Sequence, residues 1–384
     1  MSEINEWSLI MPQNDEPRVW LEIDHRIVRD NFEHIAAKAA PSRVLAVLKA
    51  DGYGLGALPI ARTLLAAGAA RVGVAEPREA YALKELGCDL QLMSAVLPEE
   101  VPELIQNGVI LPVTDLGMAK VIGETASRMG TTARVHVKID SGMGRLGILI
   151  EEADEIVPAC CAVPGLDAEG IFTHFPMDYV RHGDFTRRQI ELFKGLIARL
   201  EAKGIHFKYR HCANSDAINN CAEAVRAPFN LVRAGLNLHG LFDPAEDRDA
   251  GISPVLSLKT RLIAVRELPA GRSIGYGATY RLSQPTRVGT IAAGYADGFP
   301  LALSNRGRVL IRGKACPIIG RISMDYTTVD LGQVPDAAVG DVVTCIGRDG
   351  AESVSTEDWA KIKGTHPYDI ICSFSPRVKR VHRG

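Results

Sequence analysis

Two regions with different patterns of hydrophobic and polar residues divide this chain. From Ser42 to about Gly240, short apolar runs alternate with longer stretches whose apolar residues recur at the helical period. Uninterrupted alternation of this kind predicts an α/β fold, a closed parallel eight-stranded β/α (TIM-type) barrel. The predicted barrel strands are Val44–Leu48, Arg71–Ala75, Leu90–Ser94, Val109–Val113, Arg134–Ile139, Ala168–Thr173, Phe207–His211 and Asn230–Arg233.

After Pro254 the pattern changes to β-branched runs separated by glycine and proline, which predicts a mainly antiparallel β domain. Val19–Asp24 is a further predicted strand, and the pattern leaves open which domain it joins. We therefore expect an N-terminal extension at residues 1–17, the barrel at residues 18–252 and the C-terminal β domain at residues 253–384. The predicted strands of the β domain are Leu256–Val265, Val288–Ala292, Arg308–Ile311, Ala315–Ile319, Thr327–Val329 and Asp341–Ile346.

Composition and charge narrow the classes of function. With 384 residues and a net charge of −2, the chain carries no basic block for nucleic acid or an anionic membrane, so a small ligand is expected. The first residues lack a basic region followed by an apolar stretch, and no segment is long enough to cross a bilayer. The eight cysteines lack C-x-x-C spacing, which favours thiols in a reducing compartment over disulfides or a metal site. We expect a cytoplasmic protein.

A lysine at the end of the first apolar run is the strongest chemical signal. Lys49 closes the run that begins at Ser42, and the glycine-punctuated segment Ala-Asp-Gly-Tyr53-Gly follows it. An amine at the end of a buried strand loses its proton more easily than a solvated one, because burial disfavours the charged form. Such a lysine can form a Schiff base. The simpler interpretation is a lysine that reaches into water from a strand end.

Polar residues also follow several other predicted strands. Because the active sites of β/α barrels lie at the carboxyl ends of the strands, these residues are expected to meet at one rim. Singly, Asn214 is explained as a helix N-cap and His174 as a buried imidazole. Ser215 and the N–H groups of Gly235 and Leu236 lie where barrels bind phosphate. A lysine for a Schiff base together with a phosphate site predicts pyridoxal phosphate.

These residues form motifs in a characteristic order, and in this order the chain resembles the bacterial alanine racemase family over nearly its whole length after Arg18. The motifs are Trp20-Leu-Glu-Ile-Asp24, Lys49-Ala-Asp-Gly-Tyr53-Gly, Lys138-Ile-Asp-Ser-Gly-Met-Gly-Arg145-Leu-Gly, His211-Cys-Ala-Asn-Ser215, Arg233-Ala-Gly235, Gly275-Tyr276-Gly-Ala-Thr-Tyr280, Gly294-Tyr295-Ala-Asp-Gly298 and Arg321-Ile-Ser-Met324-Asp325. The resemblance implies a pyridoxal 5'-phosphate enzyme, an isomerase that interconverts L- and D-alanine and supplies D-alanine for the bacterial wall.

Racemisation removes a proton from one face of Cα and delivers one to the other, so two acid–base groups are needed. By the resemblance, Lys49 holds the cofactor and serves one face, and Tyr276 from the neighbouring subunit of a homodimer serves the other. A racemase of serine or other small amino acids is the near alternative. An amino-acid decarboxylase or a non-catalytic carrier of the cofactor is less favoured, because neither needs Tyr276.

The resemblance assigns roles to further residues and no metal. Arg233 faces the pyridine nitrogen, which a donor-only guanidinium keeps unprotonated. Arg145 and the N–H of Met324 bind the substrate carboxylate. Lys138 carries a carbamate in many relatives, and an ordinary ion pair is the alternative here. The other residues that contact the cofactor are Tyr53, His174, Asn214, Ser215, Gly235, Leu236 and Tyr368, and the supporting residues are Tyr295, Arg321 and Asp325.

Two positions depart from the family pattern at the substrate entrance. Leu301 stands where many relatives have arginine, and His366 replaces a residue that is usually aliphatic. Loss of a cation and gain of an imidazole change the field that guides a charged substrate inward. The sequence therefore leaves the substrate range and the pH response open.

Overall fold

The computed structural model describes residues 17–176, 179–242 and 249–384, with only the backbone of residues 179–181. Residues 1–16 of the expected N-terminal extension lie outside the described residues. The chain forms two compact units, which we describe separately. The barrel unit consists of Asp24–Val255, His366–Cys372 and His382–Gly384, and the β unit of the described residues up to Ile23, Leu256–Thr365 and Ser373–Val381.

The predicted parallel barrel is confirmed. After β1 (Val19–Asp24), its strands are β2 (Arg43–Val47), β3 (Arg71–Val74), β4 (Leu90–Leu92), β5 (Leu111–Val113), β6 (Ala133–Asp140), the short β7 (Ile148–Leu149), β8 (Leu166–Phe172), β9 (Tyr209–His211) and β10 (Leu231–Ala234). Parallel pairing gives the strand orders β10-β2-β3-β4 and β5-β6-β8-β9. The two groups meet through a parallel bridge between Gln91 and Ile110 and a 3.1 Å hydrogen bond from Asn230 N to Arg210 O. All these strand ends therefore share one rim.

Helices separate the strands, as the helical period predicts. They are α1 (His25–Ala39), α2 (Lys49–Tyr53), α3 (Ala57–Ala66), α4 (Pro77–Leu83), α5 (Val101–Gln106), α6 (Leu116–Arg128), α7 (Ala153–Cys161), α8 (Tyr179–Ala202), α9 (Ser215–Asn220), α10 (Thr356–Lys363) of the β unit, and α11 (Pro367–Cys372). Short 3-10 turns are Lys84–Leu86, Pro98–Glu100, Ala222–Val225, Leu236–His239, Tyr276–Ala278, Tyr295–Asp297 and Leu301–Leu303. Among the described helices, none is both long and apolar enough to span a membrane.

α1 precedes the region from Ser42 onward in which the sequence predicts helices. Asp24 caps this helix by accepting a hydrogen bond from Arg26 N, and it buries Val28, Phe32 and Ile35 along one face. Val28, Phe32 and Ile35 recur at the helical period between charged and polar residues, so α1 is amphipathic like the later helices. The helix forms because its narrow apolar face packs in the barrel unit.

The C-terminal region forms the predicted antiparallel β unit. Its strands are β11 (Leu256–Leu268), β12 (Ser273–Ile274), β13 (Tyr280–Arg281), β14 (Thr286–Ile291), β15 (Arg308–Ile311), β16 (Lys314–Pro317), β17 (Thr327–Asp330), β18 (Val342–Asp349), β19 (Glu352–Val354) and β20 (Lys379–Arg383). Nine strands of the described chain form one sheet whose main path is β16-β15-β18-β11-β1-β20. Its pairs around β11 are antiparallel.

The open question about the first strand is resolved by its pairing. β1 lies antiparallel to β11, with Val19 opposite Thr260, so residues 18–23 belong with the β unit rather than with the expected barrel segment 18–252. The unit boundary lies between Val255 and Leu256, three residues after the expected one, and His366–Cys372 returns to the barrel unit. A strand is stabilised by the partner that satisfies its backbone groups, and that partner is distant in sequence.

Gly240, which follows the last barrel strand, lies in close contact with the backbone of Ser253. Gly240 has φ +73°, and a Cβ there would lie 2.0 Å from Ser253 O. Gly87 has a similar φ of +61° but open space around it. We expect Gly87→Ala to lower the free energy of unfolding by about 1–2 kcal/mol, the cost of the left-handed conformation, and Gly240→Ala to lower it further. Urea denaturation of both variants measures this, and equal losses would contradict it.

Candidate active site

A cavity of about 970 Å³ opens in the barrel unit at the carboxyl ends of its strands. Its size suits a small molecule. Phe172 and Val47 provide apolar wall, and most of the predicted site residues contribute to the lining. These are Lys49, Tyr53, Lys138, Arg145, His174, Asn214, Ser215, Arg233, Gly235, Leu236 and Tyr368.

An unusual left-handed turn carries the chain from the first barrel strand into this cavity. Ala50, Asp51 and Tyr53 have φ of +53°, +53° and +58°. Residues with a Cβ adopt this conformation only where the surroundings hold them in it. The Glu79 carboxylate accepts a hydrogen bond from Ala50 N, and Asp51 Oδ1 accepts one from Ala57 N at 2.8 Å. Two carboxylates thus hold the turn that presents Lys49 and Tyr53.

The turn leaves Lys49 at the open side of the cavity. Its side chain is exposed, and its Nζ lies 5.9 Å from the centroid of the Tyr53 ring. The sequence-based expectation of a buried Lys49 is therefore wrong for this chain as described. The run of apolar residues before Lys49 predicts a buried strand, but the left-handed turn carries the amine away from its apolar surroundings.

A group of hydrogen-bond donors meets where the sequence predicts a phosphate site. Asn214 is the N-cap of α9, because its Oδ1 accepts a hydrogen bond from Ala217 N at 3.0 Å. Ser215 Oγ accepts one from Gly235 N at 2.9 Å, which leaves the Ser215 hydroxyl hydrogen for another acceptor. A Cβ at Gly235 would lie 2.6 Å from Tyr53 Oη, so only glycine permits this approach.

Arg233 is a buried cation held by acceptors. Its Nη2 donates to the carbonyl oxygens of Thr173 at 2.8 Å and Cys212 at 2.9 Å, and approaches His174 Nδ1 at 3.2 Å. Its Nη1 donates to His211 Nδ1 at 3.0 Å. Burial lowers the pKa of Arg233 to about 10, so the guanidinium stays charged at neutral pH. Its Nε–H has no acceptor among the described residues and can serve a ligand.

Lys138 is a second buried basic side chain that lines the cavity. Burial, followed by the charges of Arg233 and Arg145, lowers the pKa of Lys138 to about 8. Its Nζ lies 5.0 Å from the centroid of the Phe172 ring. Within the part of the chain that the structure describes, we find no ion pair of Lys138.

The loop that carries Arg145 is organised by Asp140, to which the sequence analysis assigns no role. Asp140 Oδ1 accepts from Gly142 N at 2.9 Å and Met143 N at 2.8 Å, and Oδ2 accepts from Arg145 N at 3.1 Å. Burial alone would raise the pKa of this carboxyl, but the backbone donors lower it overall. An aspartate directly before Ser-Gly is a local signal for such a turn.

The other predicted site residues lie in the β unit, on three neighbouring loops. Gly275 forms a parallel bridge with Arg321, and Ala296 N donates to Met324 O at 3.0 Å. The Tyr276 side chain is 72% exposed. The loops therefore form one surface that carries the predicted residues Tyr276, Tyr295, Arg321, Met324 and Asp325.

The two positions that depart from the family pattern have distinct surroundings. The ring of His366 stacks on that of Tyr368, with centroids 5.0 Å apart and planes 3° from parallel. Leu301 begins a 3-10 turn of the β unit and is 45% exposed. The His366 imidazole thus packs against the Tyr368 ring, which lines the cavity.

Comparison with known families covers both units. Residues 23–243 match the family described as Alanine racemase, N-terminal domain, and residues 255–382 match Alanine racemase, C-terminal domain. The chain belongs to the alanine racemase family. The family match accounts for the barrel followed by a β unit.

Individual alanine racemases are similar over their whole length. The alanine racemase of Desulforamulus reducens is 39% identical over 373 residues, which cover 95% of this chain and 99% of that protein. That of Syntrophobacter fumaroxidans is 36% identical over 370 residues, with 95% and 98% covered. The crystal structure of alanine racemase from Streptomyces lavendulae superposes with a TM-score of 0.89 at 33% identity, covering 96% of this chain and 98% of that one.

The lowered pKa of Lys138 predicts a pH-dependent stability. Below about pH 8 the protonated amine destabilises the fold, so we expect Lys138→Met to unfold at higher denaturant than the parent protein. The difference should shrink from about pH 8 to 10.5, where the folded protein has lost a proton that the unfolded chain retains. Denaturation in buffer free of carbon dioxide measures it, and a difference independent of pH would contradict the assignment.

Proposed function

We propose that this protein interconverts L- and D-alanine, using pyridoxal 5'-phosphate held by Lys49. The observation that carries the proposal is the barrel cavity, where an exposed lysine amine faces a hydroxyl and N–H cradle and a fixed buried guanidinium. The related proteins named above are alanine racemases. A further one, from Bartonella henselae, has covalently bound pyridoxal phosphate and matches with a TM-score of 0.85 at 27% identity, covering 96% of this chain and 100% of that one.

The donor set fits this cofactor. Tyr53 and Ser215 offer hydroxyl donors, and the Gly235–Leu236 backbone offers N–H groups to a phosphate. Asn237 also lines the cavity, and neither polar atom of its buried side chain has a partner among the described residues. A polar ligand would satisfy an amide that is otherwise expensive to bury.

When bound, the cofactor supplies a conjugated ring that delocalises the charge left at Cα after the proton departs. Lys49 would hold the cofactor through its amine and, as a free amine, would remove or return the proton on one face of Cα. Arg233 would face the ring nitrogen as a donor-only group and so would keep that nitrogen unprotonated. His174 accepts from the Arg233 guanidinium at 3.2 Å and is kept neutral, because burial lowers its pKa well below the usual value.

Tyr276 serves the other face, and we propose that it comes from the partner subunit of a homodimer. A phenol with an ordinary pKa of about 10 is a weak base at neutral pH and needs cations or donors beside it. In the single chain Tyr276 is 72% exposed, and an exposed phenol gains little from neighbouring charges because solvent screens them. Insertion of Tyr276 of the partner subunit into the cationic cavity would provide the missing electrostatic support.

The substrate carboxylate is bound by Arg145 and the Met324 N–H in this proposal. Arg145 is positioned by the loop that Asp140 organises. In the β unit, Asp325 accepts from Arg377 at 2.9 Å. Asp325 directly follows Met324 in the chain, so this ion pair steadies the loop that carries Met324. Tyr295 and Arg321, on the loops beside it, complete the support.

A carbamate on Lys138 fits the charge distribution of the cavity. Carbamylation needs an unprotonated amine, and a pKa of about 8 leaves more neutral amine at neutral pH than an ordinary lysine has. Arg233, Arg145 and Lys49 all act on Lys138 with positive charge. Converting this amine from a cation to an anion would relieve their repulsion and give Arg145 an anionic neighbour.

The stacked pair at the entrance favours small substrates. Tyr368 lines the cavity, and His366 packs flat against it, which limits how far the phenol ring can turn aside. Alanine therefore fits best, and serine is the near alternative. We also propose a cytoplasmic location, because the eight cysteines are free thiols, and a role in supplying D-alanine for a cell wall.

Exchange of the Cα hydrogen tests the activity directly. In deuterated solvent with pyridoxal phosphate, we expect L-alanine to exchange fastest, L-serine more slowly and L-leucine not measurably, because Tyr368 crowds larger side chains. Tyr276→Phe should lower inversion of L-alanine by about 100-fold or more, the contribution of one positioned acid–base group. Proton NMR with a chiral assay measures both. Exchange that persists in Lys49→Ala, or faster exchange of leucine than of alanine, would contradict the proposal.

Mixing two inactive variants tests whether the site is shared. Lys49→Ala and Tyr276→Phe chains each lack one base, but one site of a mixed dimer holds both. After mixing equal amounts, half of the dimers are mixed, so activity should return to about a quarter of the parent value. Native mass spectrometry reports whether mixed dimers form. Mixed dimers without activity would argue against a site built from two subunits.

A further inference from the structure

The interior of the barrel contains ionisable side chains where barrels usually hold branched apolar ones. Arg71, His136, Glu169 and His211 are all buried, on strands β3, β6, β8 and β9. Burying charges costs much free energy unless every group is paired and hydrogen-bonded. The proposed chemistry uses none of these groups directly, so their presence needs a physical reason.

These side chains form one continuous path that ends at Arg233. Arg233 Nη1 is 3.0 Å from His211 Nδ1, and His211 Nε2 is 2.9 Å from His136 Nδ1. His136 Nε2 is 3.1 Å from Glu169 Oε1. Each contact is of hydrogen-bond length, so the path joins the cavity to a carboxylate deeper in the barrel.

The path has a single direction, because Arg233 can only donate. His211 Nδ1 must accept from it, so a neutral His211 carries its proton on Nε2. That N–H donates to His136 Nδ1, which places the His136 proton on Nε2, facing the carboxylate. A proton on His136 Nδ1 would face the His211 Nε2–H, so two donors would meet. A His136 Nε2 without a proton would face the Glu169 carboxylate, so two acceptors would meet. Glu169, an acceptor at both oxygens, is the end that this direction requires.

Arg71 fits the same assignment. Its Nη1 lies 3.0 Å from Glu169 Oε1 and 3.2 Å from His136 Nε2, as expected for two donors that share one acceptor. Burial alone would raise the pKa of Glu169, but the bond from His136 and the charge of Arg71 lower it to about 2 overall. Burial lowers the pKa of His136 and, further, that of His211, so both imidazoles are neutral.

Packing fixes both rings in these orientations. His211 stacks on Phe172, with centroids 4.9 Å apart and planes 5° from parallel, and His136 stacks on Tyr209 at 5.8 Å and 18°. A Cβ at Gly170 would lie 2.4 Å from the His136 ring, so the strand carries a glycine where the ring passes. Because packing fixes both rings, only the hydrogens on their nitrogen atoms can change position. The Glu169 carboxylate favours one arrangement of these hydrogens.

We propose that Glu169 is a positioning residue for the racemase reaction. Its carboxylate accepts the last hydrogen of the path, so that His136 and His211 can both keep the Nε2–H tautomer and the His211 Nδ1 lone pair can hold Arg233 in the orientation that presents its remaining N–H groups to the cofactor. The inference rests on the proposed function for its consequence, whereas the tautomers can be observed without any activity.

The first test reads the tautomers of the parent protein and uses substitutions only to assign the signals. Nitrogen-15 NMR of the holoenzyme labelled at histidine, with signals assigned by His136→Asn and His211→Asn, should show both imidazoles neutral and protonated on Nε2. A His211 protonated on Nδ1 would overturn the proposal. A protein with these tautomers but no racemase activity would contradict the proposed function and leave the path intact.

Variants test the consequence. Arg71→Met/Glu169→Leu removes both charges together, so no unpaired ion is buried, and it removes the acceptor. We expect His136 to lose its single tautomer, because its Nε2–H no longer has an acceptor. An Nδ1–H on His136 would oppose the His211 Nε2–H and loosen the hold on Arg233, so kcat should fall about 10- to 100-fold, as for partners of metal-bound histidines, with KM changed far less. Glu169→Gln keeps an acceptor and should keep the tautomer and most of kcat.

Arg71→Met alone is the matched control, because it breaks the ion pair and leaves the carboxylate in place. If Glu169 acted only as a structural ion-pair partner, this single variant would lower kcat as much as the double variant does. We expect instead that it keeps the tautomer and kcat to within about threefold, below the loss from removing an outer partner. Equal losses in the two variants, or none in the double variant, would overturn the proposal.

Discussion

A buried guanidinium imposes one requirement on everything that surrounds it: each neighbour must accept a hydrogen bond. Around Arg233 the acceptors are two backbone carbonyls at the ends of barrel strands and the imidazoles of His174 and His211. An imidazole that accepts on one nitrogen must donate from the other, so the requirement passes inward along the barrel. It ends at the Glu169 carboxylate, which accepts a hydrogen bond and has no hydrogen to pass on.

The same geometry explains which parts of the fold the sequence predicts. Alternating apolar runs and helical stretches predict the barrel because each strand and helix is a local pattern. The pairing of Val19 with Thr260 and the return of His366–Cys372 to the barrel unit are set by contacts between distant segments. No local pattern reports such contacts. This is why the prediction leaves the partner of β1 open and places the boundary three residues early.

The site divides in a similar way. Residues after strand ends are predictable, because a parallel barrel gathers those ends at one rim. Arg71, His136 and Glu169 lie at or within the barrel strands themselves, whose two faces are both buried, so alternation does not mark which positions point inward. The prediction that Lys49 is buried is wrong for another reason. Its exposure follows from a left-handed turn held by Glu79 and Asp51, side chains whose contacts a pattern of hydrophobicity does not contain.

The cavity gathers positive charge that the barrel itself does not neutralise at the rim. Lys49, Lys138, Arg145 and Arg233 act on one another or on their neighbours there. Burial makes two of these charges costly, which is visible in the lowered pKa values of Lys138 and Arg233. A ligand with a phosphate and a carboxylate would satisfy these cations, and a phenol brought among them would be easier to ionise than one in water. The cations that bind the ligand would therefore also activate the second base.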